Sequence, residues 1–458
     1  MKTKELLVEN NKINDASSIL VSDVRKIEKK IDYLAFFSEN ASFKGNRFFW
    51  KDPSTENIFI GLGICKKIFS TQPNNLYASI EKEWQNILKK SRIYNEFEDI
   101  GVGPILFGGF SFDPLKPKTK LWKHYADGHF FVPSFMFSEI NGTQYVTTNR
   151  LFDNREAISL QEMQITTSSL LTKTRAYGCK HSNRFLHAVE KDGEQWKNTV
   201  QNIVNDLNAT LKKVVLAREC RLTFEKEIAV ETVLERLLLE QENSYIFALE
   251  SGDNCFIGAS PERLVKKLEN NVFSTCLAGS IARGLSQESD EHLGEQLLRD
   301  RKNRTEHQYV VNMIKSAMDK VCKTIELPSH PALMKMRDIQ HLYTPVKGIL
   351  KESESLFSLI ELLHPTPALG GYPQKKAVEK IRQEEQLDRG LYGAPLGWLD
   401  YKGNGEFAVS IRSGLIQKNE ASIFAGCGIV ANSDAESEYM ETAIKFKPML
   451  SALGGDTK

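Results

Sequence analysis

Gly397-Trp-Leu-Asp-Tyr401, Glu406-Phe-Ala-Val-Ser-Ile411 and Ser422-Ile-Phe-Ala425 are three short runs rich in apolar residues that read as strands. Each is of strand length. Immediately downstream, Ala425-Gly-Cys-Gly-Ile429 reads as a glycine-rich turn leading into a helix, with Ser433 and Glu436 matching a capping box. On that helix Glu438 and Glu441 are three residues apart and Glu441 and Lys445 four apart, so all three project together. Gly426 and Gly428 would let backbone N–H groups approach a bound anion, and paired carboxylates suit a hard cation such as Mg²⁺. The stretch points to a site for a metal-bound carboxylate substrate.

Further from this stretch the same alternation of strands and helices continues. Residues 214–220, 245–250, 255–259 and 272–277 read as strands, and residues 290–322 as one or two long helices with an apolar stripe from Tyr309 to Ala317. Residues 46–185 are dominated by short β-type runs, interrupted by a helical pattern over 78–91. A break is expected at 178–182, followed by a long amphipathic helix over 184–211, and residues 1–45 read as a polar, helix-rich lead-in. Mixed hairpins and helices imply an α+β fold with antiparallel sheets whose outer faces carry the helices.

Composition narrows the function. The 458 residues carry 60 Lys+Arg against 59 Asp+Glu, a balance that speaks against nucleic acid or an anionic membrane as partner. No apolar run reaches the length of a membrane span, and the first residues lack the apolar core of a signal peptide. The seven cysteines are scattered and form no CxxC pair, which reads as reduced thiols in a cytoplasmic protein.

Several residues carry potential chemistry. Lys213 opens Lys213-Val-Val-Leu-Ala-Arg218, where Lys213, Val215 and Ala217 share one face. A lysine buried on an apolar strand sheds its charge readily and becomes a usable general base; an edge-strand lysine at the rim is the plain alternative. Glu262, at the strand end in Gly258-Ala-Ser-Pro-Glu-Arg-Leu264, can reach a cleft as general acid or stay a solvated turn residue. Glu306, on the long helix, can supply a third carboxylate or form a surface ion pair with Lys302, while the neighbouring His307 reads as structural. His364 lies in Leu363-His-Pro-Thr-Pro-Ala-Leu-Gly-Gly371, a rigid loop that suits binding and a structural turn equally. Arg412 ends an alternating strand, and its planar fork suits a carboxylate or a surface ion pair.

The joint order of these stretches resembles the chorismate-utilising enzymes, the family of anthranilate synthase component I, aminodeoxychorismate synthase, isochorismate synthase and salicylate synthase. The matching stretches fall within residues 186–455: KVVLAR (213–218), GASPERL (258–264), LAGS (277–280), KNRTEH (302–307), LHPTPALGG (363–371), DRGLYGAPLGW (388–398), IRSG (411–414) and AGCGIV (425–430) with its helix. Members that add an amine resemble one another in carrying glutamine where this chain has Lys213, and isochorismate and salicylate synthases carry lysine. Aminodeoxychorismate synthases have a lysine at the place of Ala278. Asn312 stands where amine-adding members have aspartate. GGFSFD (108–113), the LHPTPALGG loop and GNGEFAVSIRSG (403–414) are most similar to isochorismate synthases. Two positions depart from the family pattern, Ala435 for a helix-starting proline and Cys427 for an alanine.

The resemblance implies two large antiparallel sheets packed as a sandwich with helices outside, residues 1–185 completing the sheets and 186–455 forming the chorismate-binding region. It implies conversion of chorismate to isochorismate, with Lys213 as base toward water at C2 and Glu262 as acid toward the C4 hydroxyl. Glu306 and Glu441 would bind Mg²⁺ directly, with Glu438 nearby or through water. Arg412 and the Gly426–Gly428 turn would hold the enolpyruvyl carboxylate, Lys445 would add charge there, and His364 and Ser280 would line the ring. A monomer without a glutaminase subunit is expected, serving menaquinone more than a catechol siderophore. The rivals are a salicylate synthase, an aminating synthase with a glutaminase partner, and a non-catalytic chorismate-binding protein.

Overall fold

The apolar, β-branched runs of this chain form twenty-one strands, and the amphipathic segments between them form ten α-helices among the described residues. The structure, a computed structural model, describes residues 18–53, 57–153, 158–171, 183–190, 192–336 and 339–455. Every strand pairing is antiparallel except the short parallel contact of Ser18–Lys26 with Arg92–Tyr94.

Two large sheets meet at one long strand, Gly128–Ile140. Along one edge it pairs with Ile58–Ser70, and from there the sheet runs through Arg47–Lys51, Tyr245–Ser251, Asn254–Ser260, Ser413–Gln417 and Glu420–Ile429 to Lys213–Phe224. Along the other edge its first residues pair with Ile105–Phe110, and the second sheet continues through Pro395–Asp400, Gly405–Val409, Arg263–Leu268 and Asn271–Ala282 to Ile339–Leu350. The pairings of Arg47–Lys51 with Tyr245–Ser251 and of Ile105–Phe110 with Pro395–Asp400 put residues from before and after position 185 in the same sheets.

The cores follow from this arrangement. One cluster, with Phe48, Trp50, Phe107, Phe247, Phe256 and Phe424 at its centre, contains no α-helical residue, as expected where two sheets face each other. Two further clusters join the other sheet faces to the helices: Leu76–Lys89, Arg301–Val321 and Leu356–Leu363 in one, Val230–Glu240 and Ala435–Leu453 in the other. Among the described residues no helix is long and apolar enough to cross a membrane.

Several local expectations are corrected. The lead-in over 1–45 is not helix-rich where it is described. Ser18–Lys26 is a strand paired with Thr143–Asp153, and only Tyr33–Glu39 is α-helical, while residues 1–17 lie outside the described residues. The run Ile19-Leu-Val, followed by Val24, buries too well in a sheet for the polar residues around it to decide the outcome. The single helix over 184–211 is instead a strand, Phe185–Glu190, and a helix, Gly193–Asp206. Phe185–Glu190 pairs with the far end of Lys213–Phe224, and Asp192 just before the helix adopts a left-handed φ of 50° that a continuous helix excludes. The break expected at 178–182 lies outside the described residues. The stretch 290–322 is divided at Asp300, which caps Arg301–Val321 by accepting from the Asn303 N–H at 2.7 Å.

Candidate active site

Lys213 begins a strand that is enclosed on both sides. Ile429 and Gly428 lie opposite Val214 and Val215 on one side, and Gly371–Tyr372 pairs with Lys213 and Val214 on the other. The rim alternative therefore fails: Lys213 is buried, with Val215 and Ala217 beside it on the wall of a cavity of about 420 Å³. Its ammonium lies 3.5 Å from a carboxylate oxygen of Glu306.

The glycines opposite it sit in a different backbone from the one expected. Gly426 and Gly428 are not in a turn; they belong to the strand Glu420–Ile429 and pair with Ala217 and Val215. A Cβ on Gly428 would lie 2.4 Å from Lys213 Cε and 2.9 Å from its Nζ, so the missing side chain makes room for the lysine. A Cβ on Gly426 would meet the Leu216 carbonyl oxygen at 2.9 Å, and the Gly426 carbonyl accepts from Lys445 Nζ at 2.9 Å. The other edge of this part of the strand is open, since its pairing with Ser413–Gln417 ends at Ile423, and both glycines line the cavity.

Glu262 sits between Asn254–Ser260 and Arg263–Leu268. Its N–H donates to Ser260 Oγ at 3.2 Å, its carbonyl accepts from the Val409 N–H at 3.0 Å, and Arg263 next to it is held by Glu406 and the Tyr245 hydroxyl at 2.8 Å each. The carboxyl faces the cavity and is buried. Burial pushes it up to about 8, against a smaller downward pull from Lys213. A group of this kind is protonated at neutral pH, which a general acid requires.

The carboxylate wall comes from two helices. Glu306 projects from Arg301–Val321, and Glu438 and Glu441 from Ala435–Leu453. The capping box assigned to Ser433 and Glu436 is corrected: Asp434 is the cap, accepting from the Ser437 N–H at 2.9 Å. The Ser433 hydroxyl instead donates to Glu438 at 2.6 Å. Burial raises Glu438 above the usual carboxylate range, with the Ser433 bond opposing and Glu441 adding to the rise. Burial also works against a charged Glu441, but Lys445 at 2.7 Å, Lys213 and Lys302 outweigh it and hold that carboxyl below its ordinary value.

Among the described residues no three His, Cys, Asp or Glu side chains converge into a ready-made metal cage. The donors nevertheless fit Mg²⁺, which prefers one or two carboxylates and completes its shell with substrate oxygens and water. Three carboxylates line this one cavity, and Glu438 and Glu441 feel each other's charge.

Arg412 lines the cavity from the corner between Gly405–Val409 and Ser413–Gln417 instead of from a strand. Its φ of 51° is a strained value for a non-glycine residue, and its carbonyl is fixed by the Ala259 N–H at 3.0 Å. Ser280 also lines the cavity and bonds His341 Nδ1 at 2.7 Å. His364 does not reach the cavity. Its Nε2 faces the Phe112 carbonyl at 3.0 Å and its ring packs edge-on to Phe112, so it braces the loop against GGFSFD. His307 is structural as expected, lying between the Ala278 carbonyl and the Thr344 hydroxyl.

The residue the sequence reading missed is His341. It is buried on the cavity wall, burial with Arg412 and Lys445 nearby pushes it down to about 3, and its Nε2 has no protein partner. A neutral imidazole with a free nitrogen is suited to bond a substrate oxygen. Its one signal is register: Ser280 pairs with His341 across two strands about sixty residues apart.

Comparison with known proteins bears on the family and the fold. The sequence profile of the family described as chorismate binding enzyme matches residues 6–454. The isochorismate synthase MenF of Bacillus subtilis is 43% identical over 99% of this chain and 98% of its own length. The salicylate biosynthesis isochorismate synthase of Pseudomonas aeruginosa is 34% identical over 89% of this chain and 85% of its own. Among solved structures, the menaquinone-specific isochorismate synthase of Escherichia coli superposes with a TM-score of 0.79 over 98% of both chains, at 22% identity. Anthranilate synthase component I of Streptococcus pneumoniae superposes with a TM-score of 0.68 over 96% of this chain and 93% of its own, at 19% identity, which ties the fold to the wider group. A profile spanning almost the whole chain, a full-length relative and the buried lysine and carboxyl sharing one cavity lead to one conclusion: the chain belongs to the chorismate-binding enzyme family.

Proposed function

We propose that the protein is an isochorismate synthase, an isomerase that moves the hydroxyl function of chorismate from C4 to C2, and that its product serves menaquinone synthesis. One observation carries the reading: Lys213 and a protonated, buried Glu262 face the same cavity. Lys213 is the base that takes a proton from the water that attacks C2. The ring double bonds shift, and Glu262 gives its proton to the hydroxyl leaving C4, so one water enters and one departs. A base of this kind is needed for water and not for ammonia, and on this ground the protein works without a glutaminase subunit. Arg412 pairs with the enolpyruvyl carboxylate by its planar fork. His341 and Ser280 bond ring oxygens. Lys445, tied to Glu441 and to the Gly426 carbonyl, acts on the substrate through the charge of that wall.

Glu306 and Glu441, with Glu438 beside them, would hold Mg²⁺, which when bound supplies Lewis acidity at the ring carboxylate. The menaquinone assignment draws on the full-length similarity to a MenF protein. Six buried free cysteines among the described residues suit a reducing, cytoplasmic setting. The test is proton NMR of purified protein with chorismate and Mg²⁺, without ammonia or glutamine. A mixture of chorismate and isochorismate at equilibrium is expected. Salicylate with pyruvate would move the assignment to salicylate synthase, and no turnover would overturn it.

A further inference from the structure

The strand that carries Lys213 has one continuous edge and one interrupted edge. On the first, Glu420–Ile429 pairs with it from Val214 to Thr223. On the second, Gly371–Tyr372 covers Lys213 and Val214, and Phe185–Glu190 covers Cys220 to Phe224. Between these two, no strand among the described residues pairs with residues 215–219. Val215 and Ala217 are buried there, so their backbone N–H and C=O groups must find partners of another kind.

Side chains take the place of the missing strand. Arg389 Nη2 donates to the Val215 carbonyl at 2.8 Å, and a Glu385 oxygen accepts from the Ala217 N–H at 2.7 Å. Trp196 Nε1 donates to the Ala217 carbonyl at 3.2 Å. Arg389 and Glu385 are both buried and are joined to each other by two bonds of 2.7 Å. Arg389 Nη1 also donates to the Leu369 carbonyl at 3.0 Å, and the Gly370 carbonyl that follows accepts from the Val215 N–H at 3.0 Å. One guanidinium thus holds the strand of Lys213 to the loop whose next residues pair with Lys213. Val215 and Ala217 share a face with Lys213 on the cavity wall, so a bow in this stretch would carry the amine and the wall with it.

We propose that Arg389 and Glu385 are positioning residues: as a buried ion pair they replace a strand and fix where the Lys213 amine stands. This rests on the isochorismate synthase reading, in which Lys213 is the base. The planar fork of arginine can bond a carboxylate and two carbonyls at once in fixed directions, which a lysine cannot do. Arg389 reaches the cavity wall, whereas Glu385 does not line the cavity and acts on it through Ala217 and Arg389.

The test is Glu385→Gln, with Trp196→Phe as a milder companion, and rates scaled to folded protein. The amide turns one of the two acceptors facing Arg389 into a donor. In Glu385→Gln kcat should fall about tenfold to a hundredfold, the loss for an amine misplaced by roughly 1 Å, while the chorismate KM and the calorimetric Kd for Mg²⁺ stay within about twofold. Trp196→Phe keeps a buried ring and loses one N–H bond, so it should stay folded with kcat down about threefold and KM unchanged. A kcat per folded Glu385→Gln equal to that of the parent makes the pair merely structural and overturns the proposal. So does a raised KM at unchanged kcat, which would make Arg389 a substrate-binding group. If Glu385→Gln does not fold, Trp196→Phe decides by the same two readings. If the parent binds chorismate without converting it, the isomerase reading fails alone. Crystal structures of parent and variant then decide: Lys213 Nζ displaced by about 1 Å supports the positioning role, and Nζ in place overturns it.

Discussion

Glu262→Gln should inactivate the protein and stabilise it at neutral pH. The carboxyl stands at about 8 in the folded state, against an ordinary value of 4.5. In an acid raised by burial the unfolded chain releases its proton first. Between pH 4.5 and pH 8 the unfolded state therefore binds fewer protons, and stability falls as pH rises through that window. At pH 7 roughly nine-tenths of Glu262 remains protonated in the folded protein, and the difference from the unfolded chain costs about 3 kcal/mol. Glutamine has the shape of the protonated acid and does not ionise, so that cost disappears. For a chain of this length unfolding as a unit, about 3 kcal/mol corresponds to roughly 3 °C in Tm. The assay is thermal unfolding of parent and variant from pH 4.5 to pH 8, with turnover measured in parallel. The Tm gap should be near zero at the acid end and widen with pH. A gap that is flat with pH, or a variant less stable throughout, would refute the reasoning, since Glu262 would then be ionised at neutral pH and unable to act as the acid.

Lys213→Ala should lower kcat by about a thousandfold or more while the protein stays folded, as shown by an unchanged circular dichroism spectrum; a variant at full rate would mean the base is misassigned. Gly428→Ala should leave the fold in place, since the new methyl meets the mobile end of Lys213 at 2.4 Å, yet reduce kcat about a hundredfold by displacing that amine; an unchanged kcat would show that the position of Lys213 is not critical. Glu441→Ala should weaken Mg²⁺ binding roughly tenfold or more by calorimetry and abolish activity at low Mg²⁺; an unaltered Mg²⁺ response would place the metal elsewhere.

Much of this protein was legible along the chain, for reasons that particular residues illustrate. Strand alternation in Lys213-Val-Val-Leu-Ala-Arg218 placed Lys213, Val215 and Ala217 on one face, and all three line the cavity. Helical spacing placed Glu438, Glu441 and Lys445 together, and the structure joins Glu441 to Lys445 at 2.7 Å. These are local facts, settled by a period of two or of 3.6 residues. Local signals misled where a residue's surroundings decide its role. Gly426 and Gly428 resemble a turn in sequence but form a strand, and at Gly428 the missing side chain leaves room for Lys213. His364, whose loop suited binding and a structural turn equally, braces a loop, whereas His341 drew no notice and faces the cavity.

The sequence by itself determined the fold class and the order of the motifs, and it singled out Lys213 and Glu262 as candidates for base and acid. Only the tertiary structure decided which partner each charge takes. Lys302 and Glu306 are one helical turn apart, yet Glu306 turns to Lys213, ninety-three positions earlier in the chain, and leaves Lys302 to the cavity. Periodicity is a property of neighbouring residues and can be read one segment at a time. Ion pairing and desolvation depend on which segments meet, and the strand register that sets those meetings comes from the packing of the whole sheet.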